Sequence, residues 1–368
     1  MSLRKQAVAK PPVSPAGPLI RQQEAKRVSM RDIARATGVS VSTVSLAIKN
    51  SSRISEKVRQ KIQDKIRELG YRPDPILKAL CHYRRSKSTV SYNAELAWIN
   101  CWPNPNDLRS YKEFELCWQG AYDEAKACGF RLEEFRLQEC GSFGRLDKIL
   151  RARNIDGILI PPHGALWPSS WPELQWNDFC VVRLGHSVTQ PRTHRVTSDQ
   201  LEDGMIAFEN IWNKGYRRIA YVTTRETTTR GTRFSAGFLM GQLKTGAKSR
   251  LYPLLMSDKK DPKEDQKQLT AWLQKTKPDA IFTDCPSLRR LLTTCGYRVP
   301  DDFGLAATSI LDCDASAGID QNSMEIGKAA VQLLISLINH NERGVPTTCR
   351  ELLIEGRWVD GPSLPEKR

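Results

Sequence analysis

Long apolar runs are missing from this sequence. No stretch approaches the ~20 residues that cross a bilayer, and the N-terminus lacks the apolar core of a signal peptide. The chain is therefore read as cytoplasmic. Histidine is scarce, five in 368 residues. The ten cysteines, scattered from Cys81 to Cys349, include no C-x-x-C pair and no Cys/His set at zinc spacing. That excludes a zinc module and a disulfide framework, and leaves small side chains of a reducing compartment. Catalytic signatures are also missing: no G-x-S-x-G elbow, no Gly-rich phosphate loop and no H-E-x-x-H. The expectation is a protein that is not an enzyme and needs no cofactor and no metal. Acidic residues are scarce at one end only. Residues 1–88 hold 20 Lys/Arg against 6 Asp/Glu, whereas the other 280 hold 36 against 35. A one-ended basic excess suits a phosphate backbone or an anionic membrane surface.

What is present decides between those two. Residues 28–55, VSMRDIARATGVSVSTVSLAIKNSSRIS, read as two short helices and a tight turn. Ser29 can cap the first helix and Asp32, three residues on, can reach back to it. Met30, Ile33 and Ala34 repeat at helical spacing. Gly38 permits the turn, and Val39 can fill the angle between the helices. Ser40 caps the second helix, which buries Val44 and Ala47 or Ile48. Its other face opens with Val41, Ser42, Thr43 and Ser45, small enough to lie in a groove. A third helix, SEKVRQKIQDKIREL, is expected to be capped by Ser55, to face Val58, Ile62, Ile66 and Leu69 inward, and to stop at Gly70. Tyr71-Arg72-Pro73 then leads into ILKALCHYRR. Capped, packed helices under the basic excess favour nucleic acid over membrane.

V-S-M-R-D-I-A, G-V-S-V-S-T-V-S, I-S-E-K-V-R and G-Y-R-P, in that order, resemble the LacI family of bacterial transcription regulators. The resemblance implies a sequence-specific DNA-binding regulator, a repressor that binds a palindromic operator as a homodimer and would be nucleoid-associated. It places Val41 and Ser42 at base-reading positions. Ser29, Ser40, Thr43, Ser45 and Lys49 would hold phosphates, Met30 would touch the groove wall, and Arg53 and Tyr71 would complete the DNA surface. It also implies a hinge helix over 73–85, in which Leu80 enters the minor groove and Lys78, Arg84 and Arg85 meet phosphates. Leu46 stands where the family often has an arginine, which removes one candidate guanine contact.

Beyond residue 88, short apolar strands alternate with helices: AELAWINC, RLEEFRL, IDGILIPP and FCVVRLG in one series, then RRIAYVTT, SRLYPLLM, DAIFTD and FGLAAT in another. This pattern argues for parallel sheets with helices on both faces, in two lobes split near residue 190, with a site at the carboxyl ends of the strands. The anchors G-A-Y-D-E-A-K-A-C-G-F, N-I-D-G-I-L-I, V-T-S-D, D-A-I-F-T-D, G-Y-R-V-P-D-D and E-I-G-K-A-A-V-Q-L-L resemble the family's periplasmic-binding-protein-like effector domain. The expected architecture is thus a small all-α helix-turn-helix domain followed by an α/β two-lobed periplasmic-binding-protein-like domain. Its parts would be a disordered basic arm (1–27), a helix-turn-helix domain (28–72), a hinge helix and linker (73–88), and an effector-binding and dimerisation domain (89–368).

Expected at the cleft for an unidentified small-molecule effector are Trp102, Asn104, Tyr111, His163, Arg183, Arg233 and Asp284, with Asp199 where the chain crosses between lobes. Arg183 and Arg233 beside aromatics suit an anionic or polar ring. Trp102, Trp167, Trp171 and Trp176 serve either as lobe packing or as a platform for that ring. Where the family usually shows two aspartates, this chain has Ser309-Ile310 with Asp312 and Asp314 displaced, which speaks against a sugar. Arg233 stands four residues before Gly237, with Phe234 in the place the family's cleft arginine usually takes. A cleft that has lost its ligand, and an enzyme on the same two lobes, are the competing readings.

Overall fold

The structure is a computed structural model that describes residues 28–48, 54–71, 94–163, 174–248, 251–256 and 262–367. The expected arm, Lys49, Arg53, the hinge with Lys78 and Leu80, and Trp167 and Trp171 lie outside them. Two compact units divide between Asp74 and Pro75.

The first unit holds three helices. α1 (Met30–Thr37) opens with a reciprocal cap: Asp32 N donates to Ser29 Oγ at 3.4 Å, and Ser29 N donates to the Asp32 carboxylate at 2.9 Å. Such a cap contributes about 1 kcal/mol. Gly38 stops α1 in the left-handed region, φ 72°, where a Cβ would be strained. α2 (Val41–Ile48) starts on Ser40, whose Oγ accepts from Thr43 N at 3.1 Å. α3 (Glu56–Glu68) differs from expectation in one respect. Ser55 occupies the capping position, but its side chain accepts no backbone bond. Ile33, Ala34, Val44, Ala47 and Ile62 form the core, with Val39, Val58, Ile66, Leu69 and Tyr71 packed around it. Met30, on the apolar spacing of α1, is exposed instead.

The second unit is α/β and two-lobed. In its first sheet β1 (Ala94–Asn100), β2 (Phe130–Arg136), β3 (Gly157–Ile160), β4 (Cys180–Leu184), β5 (His194–Ser198) and β11 (Glu351–Ile354) run parallel in the order β2-β1-β3-β4-β5-β11. Alternate residues feed two cores, Leu96, Trp98, Leu159 and Val182 on one face, Ala97, Ile99, Ile158 and Val181 on the other. Burial on both faces explains the unbroken apolar runs. The helices of this lobe are α4 (Pro105–Ser110), α5 (Lys112–Ala127), α6 (Leu137–Cys140) and α7 (Phe143–Ala152).

The second sheet contains β6 (Ile219–Thr224), β7 (Leu254–Met256), β8 (Ala280–Thr283), β9 (Gly304–Ala307), β10 (Ala317–Asp320) and β12 (Arg357–Val359), ordered β7-β6-β8-β9-β10-β12, with only β12 antiparallel to its neighbour. α8 (Gln200–Asn213) and α9 (Arg225–Lys244) contribute Phe208 and Phe238 to one face. α10 (Pro262–Thr276) and α11 (Leu288–Thr294) contribute Leu269, Leu273, Leu288 and Leu292 to the other.

The lobes are not two consecutive series. The first crossing comes between β5 and α8, at Asp199 rather than near residue 190. The chain then returns after β10, so that α12 (Ser323–His340) covers the first sheet, and crosses again between β11 and β12. α12 meets α5 at glycines. A Cβ on Gly327 would sit 2.0 Å from Cys117 O, and one on Gly120 would sit 1.9 Å from Met324 O. Only glycine allows that approach.

Candidate nucleic-acid interface and effector cleft

α2 divides cleanly. Val44 and Ala47 are fully buried, while Val41 (39% exposed) and Ser42 face solvent. Because α1 is locked by its cap and Gly38 fixes the turn, the buried pair sets the rotation of α2 and leaves its N-terminal face outward. Ser40, Ser42 and Thr43 are linked there, with Ser40 Oγ 2.7 Å from Ser42 Oγ and 2.8 Å from Thr43 Oγ1. Hydroxyls held this way can turn to a phosphate oxygen or a base edge. Ser45 is half-buried on the same helix, and Ser29 and Met30 are exposed at the start of α1. Tyr71 packs beside the core and is half-buried. Lys61 is exposed, and its Nζ donates to Thr37 O at 3.0 Å. Residues 28–71 hold nine Lys/Arg against four Asp/Glu, so the module carries a share of the basic excess and the segments flanking it carry the rest.

At the cleft the expected residues fall into separate groups. Trp102, after β1, stacks on His163, after β3, with ring centroids 5.5 Å apart; Tyr111 lies 5.8 Å and Phe114 6.4 Å from Trp102. Trp102 Nε1 donates to Pro162 O at 3.0 Å, and His163 N donates to Ser187 Oγ at 2.7 Å. Trp102 and His163 are both buried, so the rings pack against one another. Trp176 joins the core on the other face of the sheet. Asn104 caps α4, and Asp199 caps α8 by accepting from Glu202 N at 3.2 Å. Asp284 accepts from Tyr221 OH at 2.9 Å and Thr223 Oγ1 at 2.8 Å. Arg233 leaves the second lobe to donate to Glu351 at 3.2 Å, while Phe234 is core. Arg183 is buried and donates to Val188 O and, at 3.0 Å, to Thr193 O.

The sequence reading missed a second set of contacts between the lobes, besides Arg233 with Glu351. Asp312, in the loop after β9, accepts from Lys112 N at 2.7 Å and Glu113 N at 3.3 Å, capping α5 of the other lobe. Glu113 in turn accepts from Ser309 Oγ at 2.5 Å and from Ser323 Oγ at the start of α12. Burial pushes the Glu113 carboxyl up to about 7, and Asp312 and Asp320 add to the rise against the Ser309 hydrogen bond. Nearby, Ser198 Oγ donates to Gln321 at 2.9 Å, and Asn322 Nδ2 donates to Glu355 O at 2.7 Å, so the crossings are laced together. The signal available in sequence was the displaced aspartate itself: Ser309 and Asp312 stand three apart, and Ser309 Oγ accepts from Asp312 N at 3.2 Å. Among the described residues no group of His, Cys, Asp and Glu could hold a metal ion, and no helix is long and apolar enough to cross a membrane.

A helix-turn-helix unit and a two-sheet α/β unit with strand ends facing a cleft define a DNA-binding regulator with an effector domain. Comparison with known proteins gives the family. A family model described as bacterial regulatory proteins, lacI family, matches residues 29–74, and one described as periplasmic binding protein-like domain matches residues 208–363. The chain belongs to the LacI family of transcription regulators. It is 21% identical over 326 residues to the HTH-type transcriptional repressor PurR of Mannheimia succiniciproducens, covering 85% of this chain and 93% of that one. It is 24% identical over 347 residues to the HTH-type transcriptional regulator MalR of Streptococcus pneumoniae, covering 89% and 97%. Two solved structures share the fold. One is a CelR–cellobiose complex, with TM-score 0.57, 20% identity and coverage of 92% of this chain and 100% of that one. The other is the lac repressor dimer bound to operator and the anti-inducer ONPF, with TM-score 0.51, 16% identity and coverage of 92% and 100%.

Proposed function

We propose that this protein is a repressor that binds a palindromic operator as a dimer and whose DNA occupancy answers to a small molecule in the cleft. The observation that carries the reading is the division of α2, which buries Val44 and Ala47 and turns Val41 and Ser42 outward. Methyl groups and one hydroxyl read thymine methyls and single acceptors in the major groove. Ser29, Ser40, Thr43, Ser45, Lys49 and Arg53 fix the register on phosphates. One such helix touches too few base pairs for genomic specificity, so two copies on a two-fold site are needed. Leu80 acts as the minor-groove wedge of the hinge, a role taken from the family resemblance. A solved structure of the same fold, a CelR–cellobiose complex, supports a ligand in the cleft. Selection of random duplexes by the full-length protein tests the reading: it predicts a palindromic consensus, and recovery of unrelated or asymmetric sequences would refute it.

One observation favours a second reading, in which DNA occupancy is set without a ligand. The chain's own Asp312 caps α5 across the cleft, and Glu113 ties α5 to Ser309. Native mass spectrometry of protein taken from its own cells separates the two. A retained small molecule supports the first reading, and empty protein that still represses supports the second.

A further inference from the structure

We propose that the first lobe carries an anion site, away from the aromatic cluster at the cleft, that binds a phosphate group. A pocket of about 270 Å³ opens beside β4, β5 and β11, and Arg183, Arg192, Arg195 and Arg350 line it against a single carboxylate, Glu351. That carboxylate is already engaged, by Arg195 at 2.9 Å and by Arg233 at 3.2 Å. Arg350 pairs with Glu342 outside the pocket. Arg183 is the decisive residue. It is only 4% exposed, its guanidinium meets two backbone carbonyls and no carboxylate among the described residues, and its Nε is buried with no hydrogen-bond partner. A buried charge held only by neutral groups is costly, and proteins usually give such a charge a counter-ion.

The neighbours record the same imbalance. Burial, followed by the nearby Arg195, lowers Arg183 to about 10. Burial, Arg195 and Arg233 together lower His186 to about 4, so that ring is neutral at pH 7 and adds no charge for Glu351 to satisfy. Among the described residues Arg183 and Arg192 are thus left without a carboxylate, and Arg195 shares Glu351 with Arg233, in a space too small for most organic ligands. A phosphate group fits that chemistry: it carries up to two negative charges and accepts from forked guanidinium donors in pairs. Thr189 on the rim adds a hydroxyl.

Cys349 lines the pocket and gives a local reporter, its Sγ donating to Arg192 O at 3.1 Å. The test is site-resolved alkylation of the full-length protein, at ionic strength held constant with chloride, with inorganic phosphate or glycerol 3-phosphate added. Phosphate is expected to slow alkylation at Cys349 saturably while leaving Cys295, in the second lobe, unchanged. Arg192 is exposed on the rim, so Arg192→Ala should fold normally and raise the half-saturating concentration roughly tenfold. Tighter protection by glycerol 3-phosphate would mark a phosphorylated metabolite as the source, and tighter protection by inorganic phosphate the free anion. Equal Cys349 rates with and without both compounds, or an unchanged half-saturation in Arg192→Ala, would overturn the proposal.

Discussion

The recognition helix and the cleft between the lobes hold their polar groups in opposite ways. On α2, Val41 and Ser42 face solvent, and among the described residues the hydroxyls of Ser40, Ser42 and Thr43 bond only to one another and to the Thr43 amide. At the cleft, the candidate side chains are already bound within the chain, Asp199 and Asn104 as helix caps, Asp284 by Tyr221 and Thr223, and Arg233 by Glu351. A surface that waits for DNA can keep its donors and acceptors within easy reach. A cleft that closes on itself must satisfy its polar groups with its own residues, because buried orphans are costly. The first region is therefore sensitive to side-chain identity, the second to the state of the lobes.

The largest effect that would break this comparison is loss of the small core. Ile33 is fully buried among four other core residues, so Ile33→Ala should cost about 2–5 kcal/mol. Operator binding should disappear while the melting of the two-lobed unit, followed by calorimetry, stays unchanged. A parallel drop in both would show that the units share one core.

Next in size is the pH dependence of the lobes. Glu113 is raised to about 7 and Asp203 to about 8, each mainly by burial. A carboxyl whose folded pKa lies above its unfolded value stabilises fully below the unfolded value and loses that contribution as pH rises through the folded one. Stability of the two-lobed unit should therefore fall between pH 5 and 8. For Glu113 the loss is on the order of 3 kcal/mol. Glu113→Gln keeps one donor and one acceptor for Ser309 and Ser323 and should roughly halve the slope measured by urea unfolding. An unchanged slope would place the titration elsewhere.

How far these features could be read from the sequence depends on how local they are. The α1–α2 unit was legible because its signals sit three to five residues apart: Ser29 with Asp32, Gly38 at the turn, Val44 with Ala47. Ser55 shows the limit even there, since a serine in the capping position need not accept a bond. The strands with unbroken apolar runs, such as Ala94–Asn100, were legible too. His194–Ser198 and Ala317–Asp320 were not, one because it is polar and the other because it is too short to show a period. The three crossings and the return of α12 to the first sheet depend on short polar links that carry no periodicity. The same holds for Glu113 with Ser309 and Ser323, residues 196 and 210 positions apart. Of the eight residues expected to line the cleft, Trp102, Tyr111 and His163 gather through ring packing, and Arg183 and Arg233 come instead to the neighbourhood of Glu351.

A smaller effect concerns the hinge. If Leu80 is the wedge proposed above, Leu80→Ala should weaken operator binding by about 1–2 kcal/mol and reduce DNA bending, with the lobes unaffected. Fluorescence transfer across a labelled operator reads the bend directly. The same bend with the variant would make the hinge a tether.

The central claim, that the exposed start of α2 reads bases while the rest of the module holds phosphates, is tested most directly by binding-site selection with three proteins compared at one salt concentration. The Val41→Ala/Ser42→Ala double variant should change base preference at one or two positions in each half-site, by about 1 kcal/mol each. Lys49→Ala should leave the preferred sequence alone, weaken every site evenly and shallow the salt slope by about one unit. A double variant with the wild-type sequence profile would contradict the account.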